Sequence, residues 1–247
     1  MEDRKLFFKE YFNSIYVHSN DFSVGEYENS AMDFDLHYGN FLPEQKDAPI
    51  LDIGCGTGHF LYYLKKNGYS NFLGIDISES QAEFCRNNIN PNVTTADAFE
   101  FLTGRTNTYS VISANDVIEH ISKEKIVSFL KIIHQALKPD GILLLKLPNM
   151  SNPFSLDSRY RDFTHECGFT EESIYQVLYI AGFRNISVCP SQVSGKSIKS
   201  YLRRALNSLI HSILKKLFWH QGISAPKILS CRLIVMAKKE AVSESNS

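Results

Sequence analysis

The sequence predicts an α/β protein in which a parallel sheet is covered by helices on both faces, within a single domain. Short apolar runs alternate with stretches of helical period through the middle of the chain, which is typical of strands joined by crossover helices. Such connections are right-handed and place helices on each side of the sheet. Hydrophobic residues make up 43% of the 247 residues and charged residues 21%, which is enough for one sizeable core.

Seven segments have the length and apolar character of strands. In chain order they are APILDIG, FLGIDIS, NVTTAD, YSVISAND, GILLLKLPN, NISVCPS and CRLIVMAKK. Ligands of parallel sheets bind at the carboxyl ends of the strands. In this chain glycines and acidic residues follow several of those ends.

Helical segments separate the strands. HFLYYLKKNG ends at Gly68, and SESQAEFCRNNI opens with Ser78 and Gln81 at the spacing of a capping box. KEKIVSFLKIIHQALKPDG is expected to stop at Pro139 and Gly141, because proline cannot continue a helix.

The cysteines argue against a disulfide framework or a zinc site. They are odd in number, widely scattered and never spaced as C-x-x-C. The N-terminus carries charges where a signal peptide needs an apolar core, and no stretch reaches the roughly 18 apolar residues of a membrane span. We therefore expect a cytoplasmic protein.

The glycine-rich stretch ILDIGCGTGHF lies between the first strand and the first crossover helix. A dinucleotide loop needs G-x-G-x-x-G, but counted from Gly54 the third glycine falls on His59. The pattern is D-x-G-x-G-x-G, with Asp52 ahead of Gly54, Gly56 and Gly58. A carboxylate fits an amino group or a sulfonium better than a pyrophosphate. The loop therefore indicates a cationic nucleoside, S-adenosylmethionine.

Two further acids follow the next strands in the order that this cofactor needs. Asp76 ends the second strand, where a carboxylate accepts hydrogen bonds from both ribose hydroxyls. Asp97 ends the third strand, where it can accept a hydrogen bond from the adenine amino group. The alternatives are a tight turn without ligand for the glycines and helix N-capping for both acids.

Five motifs from Pro49 to Asn149 resemble those of class I S-adenosylmethionine-dependent methyltransferases: ILDIGCGTGHFL, GIDIS, ADAFEFL, SANDVIEHI and LKPDGILLLKLPN. The resemblance implies a Rossmann-like fold with seven strands, the last antiparallel, and the cofactor across the carboxyl ends of strands one to four. The residues then expected to hold the cofactor are Asp52, Gly54, Cys55, Gly56, Gly58, Asp76, Ile77, Asp97, Ala98, Asn115 and Asp116.

A narrower resemblance covers the segments on both sides of these motifs. AMDFDLHYGNFLP and LPNMSNPFSLDSRYRDFTHECGFTEESIYQVLYIAGF are similar to methyltransferases of bacterial surface-polysaccharide (O-antigen and capsule) clusters. Ubiquinone-type O-methyltransferases also carry a threonine–histidine pair before a phenylalanine and a helix. The segment ANDVIEHI is unlike the N-P-P-Y loop of base and glutamine N-methyltransferases. This disfavours an amide or exocyclic amine as acceptor.

Methyl transfer to a sugar hydroxyl benefits from a base, because the hydroxyl has a high pKa. His165, in the polar run from Arg159 to Glu166, is the first candidate, and its alternative role is to shape that loop. His120 is the second candidate, with a fold-level or cofactor-side role as the alternative. Asp162 can orient a histidine or bind a hydroxyl, or it is an exposed loop residue. No His and carboxylate cluster has metal-ligand spacing, so the sequence predicts no metal.

Three functions remain open at this level. The first is an O-methyltransferase for a sugar of a surface polysaccharide or its lipid-linked precursor. The second keeps the reaction and changes the acceptor to a quinone precursor of the ubiquinone or menaquinone type. The third is a cofactor-fold partner subunit without catalysis, against which the intact glycines and acids argue.

The C-terminal part of the chain is strongly basic. Residues 174–247 hold 11 Lys and Arg but only 2 Asp and Glu, although the whole chain has a net charge of −1. SIKSYLRRALNSLIHSILKKLFWHQG alternates paired polar and paired apolar residues, so its apolar stripe drifts around the helix. The basic residues of 196–219 suit an anionic membrane surface, and their aliphatic neighbours do not suit nucleic acid. Packing on the protein's own sheet or in a homo-oligomer is the alternative.

The predicted domain organisation follows from these segments. Residues 1–240 form one domain, with a helical cap over 1–45 and a basic amphipathic helical insertion over 195–228 before the last strand. Residues 241–247 are expected to be a disordered tail. If the insertion binds lipid, the protein is peripheral on the inner membrane.

Overall fold

The computed structural model describes residues 7–8, 10–16, 22–195 and 197–241, and its centre is a seven-stranded sheet of order β3-β2-β1-β4-β5-β7-β6. Strands β1 to β5 pair in parallel, whereas β7 runs antiparallel to both β5 and β6. This confirms the predicted fold class. The strands are β1 (Ile50–Ile53), β2 (Phe72–Asp76), β3 (Val93–Thr95), β4 (Tyr109–Asn115), β5 (Leu137–Pro148), β6 (Arg184–Pro190) and β7 (Arg232–Lys238).

Eight α-helices are described around the sheet. They are α1 (Val24–Tyr38), α2 (His59–Lys66), α3 (Glu79–Asn88), α4 (Ala98–Leu102), α5 (Ile126–Ala136), α6 (Leu156–Arg161), α7 (Glu171–Ala181) and α8 (Ile198–His220). A π-helical turn spans Phe12–Tyr16. Short 3₁₀ turns span Ile118–His120, Lys123–Lys125 and Pro153–Ser155.

The helices form two layers because successive residues of a strand point to opposite faces of the sheet. Leu51 and Ile53 of β1 face a core formed with α4, α5 and α7. Ile50, which precedes Leu51 and points to the opposite face, packs in a second core formed with α1, α2 and α3. The carboxyl ends of β1 to β4 and the loops that follow them are thereby held between two packed layers.

Two local predictions were wrong. Helix α5 ends at Ala136, before the expected stop, because Leu137 is extended and pairs with Tyr109 of β4 as the first residue of β5. Lys138, directly before Pro139, is also disfavoured in helical conformation. Ser78 occupies the N-cap position of α3, but its side chain makes no capping hydrogen bond. Its hydroxyl lies 3.2 Å from that of Ser80 instead.

Helix α8 projects from the domain between β6 and β7. None of its residues is buried, and the exposed fractions of Leu202 and Trp219 are 66% and 79%. Arg204 attaches the start of the helix to the preceding loop by donating to the carbonyls of Val193 and Gly195. Among the described helices, none is long and apolar enough to cross a membrane. Lys196 and the end of the predicted tail, 242–247, lie outside the described residues.

The contrast between α5 and α8 gives a stability test. Leu130 of α5 is fully buried, so Leu130→Ala should lower the free energy of unfolding by about 2–5 kcal/mol. Leu206 of α8 is 56% exposed, and Leu206→Ala should change it by less than about 0.5 kcal/mol. Urea denaturation of both variants measures the difference. Equal losses would mean that α8 packs on the folded domain in solution.

Candidate active site

The glycine-rich loop after β1 is shaped by close contacts on both sides. Gly54 has φ +65°, and a Cβ there would lie 2.4 Å from a methyl group of Val117. Gly58 has φ +89° and is the N-cap of α2, and a Cβ there would lie 2.4 Å from the sulfur of Cys85. Side chains at both positions would therefore collide with neighbouring elements, and left-handed φ values favour glycine in any case.

Asp76 joins this loop to the end of β2. Its Oδ2 accepts from the backbone N–H of Gly56 at 2.8 Å, and its Oδ1 accepts from that of Ser78 at 2.8 Å. Burial nevertheless raises the pKa of Asp76 above its ordinary value. A carboxylate has about four acceptor positions, so these bonds leave room for the predicted ribose hydroxyls. Ile77 next to it is 43% exposed.

Asp52 lies within β1 and is only 2% exposed. Ser113 of β4 donates a hydrogen bond of 2.6 Å to its Oδ1, yet burial raises the pKa of Asp52 to about 7. No ion pair with Asp52 occurs among the described residues. A cationic group of a ligand would therefore favour its ionised form. The nearby Cys55 is buried, and its hydrogen bond with Cys85 raises the pKa of its thiol, as does its burial.

Asp97 is the N-cap of α4 and does not belong to β3, which ends at Thr95. Its Oδ1 accepts from the backbone N–H groups of Phe99 at 2.8 Å and Glu100 at 3.3 Å, so it makes the N-cap that was the alternative to adenine binding. Both bonds use the same oxygen, and the predicted adenine contact remains a prediction. Ala98 is the first residue of α4.

The end of β4 carries two polar groups held by residues that the sequence did not reveal. Tyr38 of α1 donates to Oδ1 of Asn115 at 2.6 Å, and the buried Nδ2 of Asn115 has no partner among the described residues. Asp116, at φ +54°, forms an ion pair with Arg232 at the start of β7. Lys146 of β5 lines the same cavity as Asn115 and Asp116 and was not predicted as a site residue. A lysine within an otherwise apolar strand was a signal in the sequence that could have identified it.

His120, Asp162 and His165, the predicted acceptor-side residues, are brought together by two backbone hydrogen bonds. The carbonyl of Glu119 accepts from the N–H groups of Glu166 at 2.8 Å and Cys167 at 3.0 Å. The loop after α6 is thereby fixed against the turn after β4, and the rings of His120 and His165 lie 4.6 Å apart.

Hydrogen bonds orient both histidines. Nδ1 of His165 lies 2.7 Å from the carbonyl oxygen of Ser158, which can only accept. Nδ1 of His120 lies 2.8 Å from the hydroxyl of Thr164, which itself donates to Asp162 at 2.6 Å. Each Nδ1 therefore carries the proton, and each Nε2 carries the lone pair. Burial and the neighbouring His165 lower the pKa of His120 to about 4.

Tyr11 and Glu119 complete this region and were not predicted. Tyr11, in the N-terminal segment, donates to Oδ2 of Asp162 at 2.7 Å and packs edge-on against the ring of His120. Glu119 is 2% exposed, and its burial raises its pKa well above the ordinary value. Tyr11 shows no periodicity or motif that would have distinguished it, whereas Glu119 lies in the motif SANDVIEHI, from which only Asn115, Asp116 and His120 were selected.

One cavity of about 720 Å³ connects the two groups of residues. Of the predicted site residues Gly58 alone is absent from its wall, since it packs against Cys85. Those that line it are Asp52, Gly54, Cys55, Gly56, Asp76, Ile77, Asp97, Ala98, Asn115, Asp116, His120, Asp162 and His165. The volume suits a ligand the size of a nucleoside together with a second molecule.

The family model described as a methyltransferase domain matches residues 30–188. A carboxy-S-adenosyl-L-methionine synthase of Nautilia profundicola is 30% identical over 161 residues, which are 60% of this chain and 65% of that protein. A ribosomal protein L11 methyltransferase of Desulforapulum autotrophicum is 28% identical over 124 residues, 50% of this chain and 40% of that protein. The chain thus spans less than two thirds of the length of these relatives.

Solved structures show the same fold over most of the chain. A SAM-dependent methyltransferase from Archaeoglobus fulgidus has a TM-score of 0.63 at 23% identity and covers 87% of this chain and 96% of its own. A Haemonchus contortus phosphoethanolamine N-methyltransferase in complex with S-adenosyl-L-methionine has a TM-score of 0.59 at 16% identity, over 95% of this chain and 60% of its own.

Cofactor affinity should fall below about pH 7. The free protein holds Asp52 protonated there, because its pKa is raised to about 7. A cationic cofactor favours the carboxylate, so binding releases a proton, and affinity should drop by up to about tenfold per pH unit on acidification. Asp52→Asn should weaken binding and flatten this dependence, as measured by calorimetry with S-adenosylmethionine. Asp97→Asn is the control that should keep the dependence, and constant wild-type affinity from about pH 6 to 8 would contradict the role of Asp52.

Proposed function

The chain belongs to the methyltransferase-domain family, and we propose that it transfers the methyl group of S-adenosylmethionine to a hydroxyl of a sugar. The acceptor is part of a cell-surface polysaccharide or of its lipid-linked precursor. The hydroxyl oxygen attacks the methyl carbon, and a C–O bond forms as the C–S bond breaks. The electron pair of that bond stays on sulfur, and the hydroxyl proton leaves to a base.

S-adenosylmethionine is the cofactor of this domain. The glycine loop and the acids at the ends of β1, β2 and α4 line one cavity, which supports their predicted contacts with the cofactor. Asp52 is the candidate for the cationic part of the cofactor and Asp76 for its ribose. The unpartnered Nδ2 of Asn115 is a donor for the cofactor's carboxylate.

The observation that carries O-methylation is the orientation of His165. Because its Nδ1–H donates to Ser158 at 2.7 Å, its Nε2 is the basic nitrogen. The residue lines the cavity, and the exposed fraction of its side chain is 12%. His165 is thus the candidate base for the hydroxyl proton. His120 is less suited, since its pKa is lowered to about 4 and its conjugate acid readily loses a proton.

Asp162 is proposed as a positioning residue. It accepts hydrogen bonds from Tyr11 and Thr164, and its Oδ2 lies 3.9 Å from Nε2 of His165. Its carboxylate can stabilise the positive charge that His165 acquires when it takes the proton.

The polar wall of the acceptor region favours a sugar over a planar apolar acceptor. Ser158, Arg161, Asp162 and Lys125 line the cavity together with the histidines. Exposed aromatic residues nearby favour the second candidate, a quinone precursor: Tyr160 is 75% exposed and Phe163 83%. A lipid-linked sugar accommodates both observations, because it combines a polar head with an apolar tail.

A strain that lacks the gene separates these acceptors. It should lose an O-methyl sugar from its surface glycan while its quinone pool stays unchanged, as measured by mass spectrometry. Wild-type protein should restore the methyl group, and His165→Ala should not, because loss of a general base lowers turnover by about 10²–10⁴-fold. His134→Gln, on α5 beside Phe183, is the control that should restore it. An unmethylated quinone precursor in the deletion strain would establish the second candidate.

We further propose that α8 holds the protein on an anionic membrane. No residue of α8 is buried, and no acidic residue occurs between Ile174 and Lys239. Aliphatic side chains between lysines and arginines suit the boundary of an anionic leaflet. The membrane would bring a lipid-linked acceptor close to the cavity.

Binding to vesicles tests this proposal. Wild-type protein should sediment with anionic vesicles at low salt and dissociate as salt rises, since the attraction falls off within about 8–10 Å. Changing Lys199, Arg203, Lys215 and Lys216 to glutamine should release it. Arg204 is retained because it holds loop carbonyls. Each charge contributes about 1 kcal/mol to binding, whereas exposed charges contribute little to stability.

The controls use neutral vesicles and the melting temperature. Neutral vesicles should leave the protein in the supernatant, and the glutamine variant should melt close to the wild type. Wild-type protein that stays in the supernatant at low salt would overturn the membrane proposal. A concentration-dependent dimer that Leu206→Ala dissociates would then identify a second copy of the chain as the partner of α8.

A further inference from the structure

We propose that Glu119, His120 and His165 bind a divalent transition-metal ion on the wall of the cavity. Each of the three residues offers a ligand atom, and these atoms lie within 4.8 Å of one another. His165 is distant in the sequence from the other two, so no sequence spacing could reveal the cluster. The prediction that no metal is bound was made from such spacings alone.

The unsatisfied carboxylate of Glu119 is the first observation for a cation. The residue is 2% exposed, and neither of its carboxylate oxygens has a hydrogen-bond partner within the described part of the chain. Buried polar groups are almost always paired, and an unpaired charge is costly to bury. The nearby Asp116 and Asp162 add negative charge, and Arg232 is already engaged with Asp116.

The orientation of the two histidines is the second observation. In both rings Nδ1 carries the proton, because it donates to Thr164 in one case and to the carbonyl of Ser158 in the other. Histidines that bind metals through one nitrogen commonly donate a hydrogen bond from the N–H of the other to such a partner, which fixes the tautomer and the ring orientation. Nε2 of each ring is then the ligand atom.

Backbone structure keeps the three ligand residues close together in the metal-free protein. Glu119 and His120 lie in one 3₁₀ turn. The carbonyl of Glu119 accepts from the N–H groups of Glu166 and Cys167, which follow His165 directly. The two segments of the site are therefore joined next to the ligands themselves.

The donor set indicates the class of metal. Two imidazoles and one carboxylate form the ligand set of catalytic zinc sites and of non-haem iron sites, both of which keep open positions. Magnesium and calcium prefer sites built from oxygen atoms alone. We therefore infer a first-row ion such as Zn²⁺ or Fe²⁺ with at least one position open to the cavity.

The use of this ion in catalysis rests on the proposed function, whereas the site itself does not. An acceptor hydroxyl in the open position would be held near the methyl group, and the ion would lower its pKa. Metal binding through Nε2 of His165 would replace the role of His165 as the base, because its lone pair would be held by the ion, and the hydroxyl proton would then pass to water. The methyl group would be transferred to the metal-bound oxygen by the same displacement.

Metal binding can be measured without any acceptor. Full-length protein, stripped with a chelator, is titrated with Co²⁺ by calorimetry and visible spectroscopy. We expect one equivalent to bind and to give the absorption bands of a nitrogen- and oxygen-ligated ion. Absence of stoichiometric Co²⁺ binding by the wild type would overturn the inference.

Variants identify the ligands. Glu119→Gln and His165→Ala should each weaken Co²⁺ binding by more than the roughly 10–100-fold that loss of an outer partner costs, and Thr164→Val should weaken it within that range. His134→Gln, a histidine outside the cavity wall, should leave it unchanged. Retained affinity for S-adenosylmethionine shows that each variant is folded. If Glu119→Gln does not fold, His165→Ala carries the test alone, because His165 lies on a loop.

Two results separate this inference from the proposed function and from a role in cofactor binding. Full sugar methylation by stripped enzyme that binds no Co²⁺ would overturn the metal site and leave the function standing. If the protein binds Co²⁺ through these residues but its deletion leaves the glycan unchanged, the metal site is supported and the proposed sugar methylation is contradicted. If Glu119→Gln weakens binding of S-adenosylmethionine but not of Co²⁺, Glu119 serves the cofactor and the inference fails.

Discussion

The carboxylate of Asp76 joins the two loops on which the cavity depends. It accepts from the backbone of Gly56 after β1 and of Ser78 after β2, so one buried side chain fixes the ends of two adjacent parallel strands. The N–H of Gly56 needs this side-chain acceptor, whereas Gly58 bonds within the loop by donating to the carbonyl of Cys55 at 2.9 Å. Gly54 and Gly58 then allow the loop to approach Val117 and α3 without collision. The shape of the glycine loop and its packing against α3 thus depend on the same contacts.

Two buried carboxyl groups in the cavity, those of Asp52 and Glu119, form no ion pair among the described residues, and this determines which ligands the cavity favours. Asp52 has its pKa raised to about 7, and that of Glu119 is raised well above its usual range. Each is a group whose burial becomes favourable when a positive ligand arrives. The positive charge of S-adenosylmethionine would meet this need at Asp52, its predicted contact. The metal proposed for Glu119, His120 and His165 would meet it on the acceptor side.

Helix α8 has a different physical character from the rest of the molecule. The two cores on either side of the sheet are complete without it, since none of its residues is buried. A long helix with exposed leucines and no acidic residue is stable on the surface of a protein when something covers its apolar stripe. Its composition suits a contact outside the folded domain, and no residue of α8 belongs to either core.

The sequence by itself determined the α/β class, the succession of strands and the cofactor loop, because strand and helix periods and a glycine-rich turn are local properties of the chain. It located Asp52, Asp76 and Asp97, since each lies at or near a strand end, but it did not show that Asp97 also caps α4. The sequence also selected His120, Asp162 and His165, but only the tertiary structure showed that they meet and that Tyr11 and Glu119 join them. Glu119 and His165 meet on the acceptor side through backbone hydrogen bonds between distant segments, and contacts of that kind leave no period or spacing in a sequence. Exposure of α8 was likewise decided only by the fold, because an apolar stripe shows the need for a partner without showing whether that partner lies within the same chain.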